Sequence, residues 1–223
     1  MKNGIGKFYS QLNYLSDLLK KIGLLEECNL YPENILLSLS EIRRLTYNQL
    51  WKSYFSNNNY HFNLKDSSLF LFNFDNSSFI FISNPKDSIS FGDFLVEQGF
   101  DEYETDKYIL YPNYEQYLSE CDLKEFPLLI RYDYDDDSYN QGMHPVSHLH
   151  IGFGNNTRIG LINEMNVEAF VYFVIRQLYP SYWQLILTDK KLLKRIKTNK
   201  NNLIEIEDAF YNDKDKLELY LKY

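Results

Sequence analysis

The chain has 223 residues, a formal net charge of −8 and 44% hydrophobic residues, so it can bury a core without disulfides or metals. The acidic balance excludes broad, non-specific binding to a nucleic-acid backbone and leaves only a local basic pocket for such a contact. Cys28 and Cys121 have no CxxC context, which argues against a zinc ribbon or a disulfide framework.

The first quarter of the chain predicts helices. Apolar residues recur at helical spacing over residues 7–27, with Gly23 as a point where the helix can break early. A second helical pattern covers residues 38–55. These patterns define a helical N-terminal part, residues 1–56.

A sheet is predicted for the middle of the chain, residues 60–162. Six segments have the short apolar patterns of strands: 60–63, 68–75, 79–83, 126–134, 147–153 and 157–162. The polar residues 75–77 predict a hairpin turn between two of them. Two short helical patterns, over residues 90–98 and 114–121, interrupt the series.

The last part of the chain, residues 163–223, returns to a helical period. Asn163 or Asn166 can cap a helix that Pro180 stops, and further helices are predicted over residues 183–196 and 203–223. The sequence therefore predicts one α+β domain over residues 1–223. It has N-terminal helices, a central mostly antiparallel sheet, and C-terminal helices packed on the sheet.

The chemically distinctive segment is a histidine cluster formed by His144, His148 and His150. Side chains alternate along a strand, so His148 and His150 would share one face of the predicted strand 147–153. Arg131 and Asp133 alternate in the same way on the preceding strand. If these strands pair, the four side chains could meet on one face, and Arg158 of the following strand could join them.

Three chemistries fit such a face. Two imidazoles and a carboxylate are ligands of many iron and zinc centres, although Arg131 and Arg158 would place positive charge beside the ion. Alternatively, paired histidines exchange protons in metal-free phosphate-ester chemistry while an arginine stabilises the developing charge. The third interpretation is a buried polar network that only fixes the register of the sheet.

The phosphate-ester interpretation assigns a role to each residue. His148 and His150 exchange protons as catalytic residues, Asp133 orients one imidazole, and Arg131 or Arg158 holds the anion. His144 contacts the substrate or supports the pair. The substrate would be a nucleotide or RNA, and no resident cofactor is required; a divalent metal at His148 and His150 is the alternative.

Known catalytic motifs match this segment only in part. His148 and His150 resemble the alternating histidines of histidine-triad hydrolases, but Gly152 stands where the third histidine would be. A cupin metal motif would need a glutamate a few residues after these histidines, and residues 152–156 contain none. The order R-x-D, then H-P-x-S-H-L-H-I-G, resembles an uncharacterised bacterial family known as a domain of unknown function. This resemblance implies a bacterial origin, and proteins of this kind often accompany phage-defence or mobile-element genes.

Location and partners are predicted from weaker signals. Residues 169–175 form an apolar run far short of the ~20 residues that span a bilayer, and no apolar leader follows Met1, so we expect a cytoplasmic protein. A protein partner or a homo-oligomer is expected. The rival function is a non-enzymatic interaction subunit whose histidines are structural. The basic residues within 190–200 predict a solvated helix face, with an anionic partner as the alternative.

Overall fold

The computed structural model describes residues 2–33, 42, 44–75, 77–100, 107–154, 157–217 and 220–221. The helices are α1 (Lys2–Lys21), α2 (Tyr47–Phe55), α3 (Phe91–Glu97), α4 (Lys107–Glu120), α5 (Val167–Leu178), α6 (Pro180–Thr188) and α7 (Lys190–Asn201). The strands are β1 (Leu25–Cys28), β2 (Phe62–Leu64), β3 (Leu69–Asn73), β4 (Ser78–Ile82), β5 (Leu129–Tyr134), β6 (Ser147–Ile151) and β7 (Thr157–Gly160). Two 3₁₀ turns, Asp208–Phe210 and Asp215–Leu217, lie near the end of the chain.

The seven strands form one antiparallel sheet in which each strand pairs with its neighbours in sequence, in the order β1 to β7. The helices α3 and α4 are inserted between β4 and β5 without changing this order. The predicted α+β class, with N-terminal helix, central antiparallel sheet and C-terminal helices, is confirmed.

Each face of the sheet has its own helical layer. Phe70, Phe72 and Phe79 point to one face, where they contact Phe170 of α5, and α1 packs in the same core. The opposite face presents residues such as Leu71 to α2, α3 and α4. The strand period of two therefore separates two hydrophobic cores. On β5 to β7 this second face becomes polar.

The C-terminal helices are bounded by the residues that the sequence indicates. The Asn166 side chain accepts a hydrogen bond from the Ala169 amide at the start of α5, as predicted for a cap. Pro180 ends that helix and becomes the first residue of α6. Among the described helices, none combines the length and hydrophobicity needed to cross a membrane.

The first helix ends earlier than predicted. It stops at Lys21, and Gly23 adopts a φ of 76°, a left-handed conformation that suits glycine. The following residues, predicted as helix, are strand β1, in which Leu25 pairs with Leu64. Pairing with β2 overrides local helical periodicity here. In the second predicted helix, over residues 38–55, the part that forms α2 is confirmed. Residues 44–46 are not helical, because Thr46 caps the start of α2, and residues 38–41 and 43 lie outside the described residues.

The end of the chain also differs from the prediction. The single helix over 183–196 is two helices, because Asp189 caps a new helix, α7, through the amides of Lys191 and Leu192. The prediction of a helix over residues 203–223 is wrong. Its described residues form bridges from Glu205 to Asn163 and from Leu221 to Leu161, together with the two 3₁₀ turns. Backbone pairing beyond the end of β7 outweighs the weak helical pattern.

A buried hydroxyl network ties the sheet to the start of α5. Tyr132 is fully buried, its hydroxyl accepts the Met165 amide at 3.0 Å and lies 3.2 Å from Ser147 Oγ, and Ser147 donates to the Asn163 carbonyl. We expect Tyr132→Phe to destabilise the protein by about 2 kcal/mol, because it leaves the Met165 amide without its acceptor. Urea unfolding measures this. A loss of unfolding free energy smaller than that caused by Tyr31→Phe, which changes an exposed tyrosine, would contradict this role of Tyr132.

Candidate metal centre

The register of β5, β6 and β7 brings the predicted side chains onto one face. Arg131 pairs with His150, and Asp133 pairs with His148. Arg158 pairs with His150 from the other side. The shared face proposed from strand alternation is therefore present.

Three ligand atoms converge at the centre of this face. The Nε2 atoms of His148 and His150 lie 3.1 Å apart. Asp133 Oδ2 lies 3.5 Å from the His150 Nε2 and 4.0 Å from the His148 Nε2. In the plane of these three atoms, the point equidistant from all of them lies about 2.1 Å from each. This is the length of a zinc–nitrogen or zinc–oxygen bond. These three residues could therefore hold a metal ion.

The carboxylate of Asp133 is held from two sides. Arg131 Nε donates to Oδ2 at 2.6 Å, and the hydroxyl of Ser78 on β4 donates to Oδ1 at 2.8 Å. Charge-assisted hydrogen bonds of this kind fix the orientation of a carboxylate. Arg131 is thus engaged with Asp133, whereas Arg158 is exposed at the rim.

Both central imidazoles are neutral near pH 7. Burial lowers the pKa of His148 to about 4, against the opposing charge of Asp133. Burial also lowers the pKa of His150 to about 4, and the Arg131 guanidinium acts in the same direction. Neutral imidazole is the form that binds metal ions. A proton-exchanging pair, in contrast, needs a pKa nearer to the working pH.

His144 lies beside the convergent atoms and is not one of them. Its ring packs edge-on against His148, with 4.8 Å between ring centroids. The backbone of His144 bridges to Asn140, which closes the loop between β5 and β6. His144 is therefore placed to support His148 or to contact a bound molecule, and its predicted role stays a prediction.

The space next to the cluster is small. A cavity of about 20 Å³ lies between Arg131 and apolar side chains of the second core, including Ile80 and Phe153. This volume is close to that of one water molecule. Beside this cavity, Arg131 and Asp133 are half-buried, and Arg158 is exposed.

One residue of the site was missed by the sequence reasoning. Ser78 contacts Asp133 although the two are 55 positions apart. A serine at the start of a hydrophobic strand carries no signal of such a role, since only the β4–β5 register places it there. His61, in contrast, lies outside the cluster, where its Nδ1 accepts the Phe72 amide at 3.2 Å.

The buried histidines predict a pH dependence of stability. Burial lowers the pKa of His61, His148 and His150 to about 4, below the ordinary value near 6.5. The unfolded chain therefore binds more protons in this range, so the stabilising contribution is complete above pH 6.5 and is lost as the pH falls toward 4.

We expect the free energy of unfolding, measured by urea titration, to fall steadily between pH 6.5 and pH 4.5. His61→Gln removes one of the three titrating groups, so its curve should be flatter over the same range. A free energy of unfolding that does not change between these pH values would contradict the neutral state of the histidines.

The fold and the cluster define an α+β protein with a buried Asp/His/His group on an antiparallel sheet. The chain belongs to the DUF2290 family of uncharacterized conserved proteins, whose family model matches residues 30–215. This confirms the resemblance to an uncharacterised family. No curated protein and no solved structure matches the chain significantly.

Proposed function

We propose that the protein is a metal-dependent phosphoesterase in which Asp133, His148 and His150 bind a divalent ion. The observation that carries the proposal is the convergence of the two Nε2 atoms and Oδ2 on one point. Three protein ligands leave a coordination position open for water, as in catalytic metal sites. Zn²⁺, Mn²⁺ and Fe²⁺ all use this ligand set.

The charge around the centre favours an anionic substrate. Asp133 supplies one negative charge, while Arg131 and Arg158 supply two positive charges, so a divalent ion leaves the centre strongly positive. A phosphate ester balances this charge, and an arginine binds its oxygens well. The exposed Arg158 is the residue that an approaching substrate meets first.

The reaction would be hydrolysis of a phosphate ester in a nucleotide or RNA. Asp133, His148 and His150 would hold the ion, which would lower the pKa of a bound water and so supply the nucleophile for attack on phosphorus. Arg158 stabilises the charge that develops on the phosphate oxygens. Arg131 keeps Asp133 oriented, and His144 supports the substrate or His148.

Metal binding is tested directly with the purified protein. We expect metal analysis and calorimetric titration with Zn²⁺ and Mn²⁺ to show one ion per chain. His150→Ala should weaken binding by about 100-fold or more, because it removes one of three ligands. His61→Gln is the matched control, because it replaces a buried histidine outside the cluster, and it should keep the wild-type affinity.

Activity is tested with bis(p-nitrophenyl) phosphate and with a short RNA, with and without added metal. We expect turnover that depends on metal, is lost in His150→Ala, and falls in Arg158→Ala with metal binding unchanged. The rival function, an interaction subunit with structural histidines, predicts the opposite. If no metal binds, and His150→Ala only lowers the melting temperature, the proposed function is wrong.

A further inference from the structure

A two-part cavity lies on the side of the sheet opposite the histidine cluster, where α1, the start of α5 and α7 meet. The larger part has a volume of about 500 Å³ and a polar, basic lining. The smaller part, about 170 Å³, has an aromatic and aliphatic lining. Lys7, Gln11, Asn166 and Asn202 line both parts, so the two adjoin.

The basic part is built by one stripe of α7. Lys191, Lys194 and Arg195 follow each other at helical spacing and face the cavity, and Lys7 faces them from α1. Glu168 is buried and holds Arg195 through two hydrogen bonds, so this acid is already neutralised. The lysines therefore set the charge of this part, in a chain whose net charge is −8.

The apolar part is built by aromatic rings of the first core. Phe8, Phe74 and Phe79 line it, together with the carboxyl group of Glu164. Burial raises the pKa of Glu164, while Lys7 acts in the opposite direction. The cavity thus combines aromatic and aliphatic residues and one acidic residue with a positively charged neighbouring part.

We propose that this cavity binds a nucleoside phosphate, with the base in the aromatic part and the phosphate in the basic part. A nucleobase is planar, stacks on aromatic rings and carries polar edges. Glu164 is placed to accept from an exocyclic amino group of the base. The amino end of α5, capped by Asn166, adds positive potential where the two parts meet.

The shape and the chemistry of the cavity favour this ligand over other anions. An inorganic phosphate would use the basic part and leave the aromatic part without a role. A membrane surface would contact the exposed Lys191 and Lys194 and would likewise leave the aromatic part without a role. The phosphate can belong to a free nucleotide or to the end of a single strand. Because the cavity is on the opposite face from Asp133, this inference does not depend on the proposed metal centre.

Calorimetric titration with GMP, ATP, inorganic pyrophosphate and a single-stranded RNA octamer tests the proposal on the full-length chain. We expect saturable binding of the nucleotides, weakened about tenfold or more in the double variant Lys191→Ala/Lys194→Ala. The matched control is Lys197→Ala/Lys200→Ala, which removes the same charge from α7 outside the cavity. This control should change the dissociation constant by no more than about twofold.

A second variant separates the two parts of the cavity. Ile204 is exposed and lines the aromatic part, so Ile204→Trp should obstruct the base and leave pyrophosphate binding unchanged. Tighter binding of the octamer than of GMP identifies a strand end as the ligand, and equal affinities identify a free nucleotide. Absence of saturable nucleotide binding, equal effects of the two double variants, or equal affinity for pyrophosphate and nucleotide would overturn the proposal.

Discussion

Replacing Arg195 by alanine is expected to destabilise the protein by about 3 kcal/mol, since it leaves a buried carboxylate without its counter-ion. Glu168 has a side chain only 5% exposed, and Arg195 Nη2 and Nε donate to its two oxygens at 2.8 and 3.0 Å. The guanidinium also lies 3.4 Å from the centroid of the Tyr14 ring, which adds a cation–π contact. Urea unfolding near pH 7 measures the loss.

The control variants separate charge from packing. Lys197→Ala removes an exposed cation from the same helix and should change stability by less than about 0.5 kcal/mol. Glu168→Gln in the Arg195→Ala background replaces the uncompensated buried carboxylate by a neutral amide. It should therefore restore part of the free energy of unfolding that Arg195→Ala removes. If Arg195→Ala and Lys197→Ala have the same stability, the buried pair does not stabilise the fold as described.

Replacing Asp215 by alanine is expected to cost about 3 kcal/mol, because three donors then lose an acceptor that is charged and buried. Asp215 is 1% exposed; it accepts the Gly142 amide at 2.7 Å, the Tyr139 hydroxyl at 2.7 Å and the Asn212 amide at 2.8 Å. Burial acts to raise the pKa of Asp215, but these hydrogen bonds lower it overall, so the group is a carboxylate. Thermal unfolding and urea titration measure the effect.

The neighbouring acid provides the control for this variant. Asp213 is exposed and forms a surface ion pair with Lys216, so Asp213→Ala should be nearly neutral. Asp215 anchors the loop between β5 and β6, and Gly142 of that loop is close to Lys214, with a left-handed φ of 69°. Asp215→Ala should therefore leave metal affinity much closer to wild type than His150→Ala does. A stability equal to that of Asp213→Ala would refute the anchoring role.

The parts of the fold that the sequence predicts are those with a clear period. Apolar runs at β3 and β4, alternation on β5 and β6, a cap at Asn163 or Asn166 and the stop at Pro180 predict the sheet and α5 directly. The missed elements depend on distant partners. Strand β1 lies in a segment with a helical pattern and is formed by pairing with β2. After α7, Glu205 and Leu221 form bridges to residues just beyond the end of β7.

The candidate site was partly predictable for the same reason. Alternation places His148 and His150 on one face of β6. Pairing of β6 with the preceding strand, β5, adds Asp133, so the sequence alone groups the three ligand residues. The distances between ring nitrogens and carboxylate, the bond from Arg131 to Asp133 and the contact of Ser78 depend on register and rotamers. No pattern within the chain encodes these. The lowered pKa values depend on burial, which composition does not reveal.

All three ligands of the proposed centre come from a single β-hairpin, β5 to β6, of the sequential sheet. The ligand residues therefore come together once β5 and β6 pair, without a segment that is distant in sequence. In this sense the centre is a modular unit. The same three positions, grafted onto another antiparallel hairpin with an equivalent cross-strand register, should reproduce the ligand geometry. Conversely, one substitution in this hairpin should remove the centre while the rest of the architecture is retained.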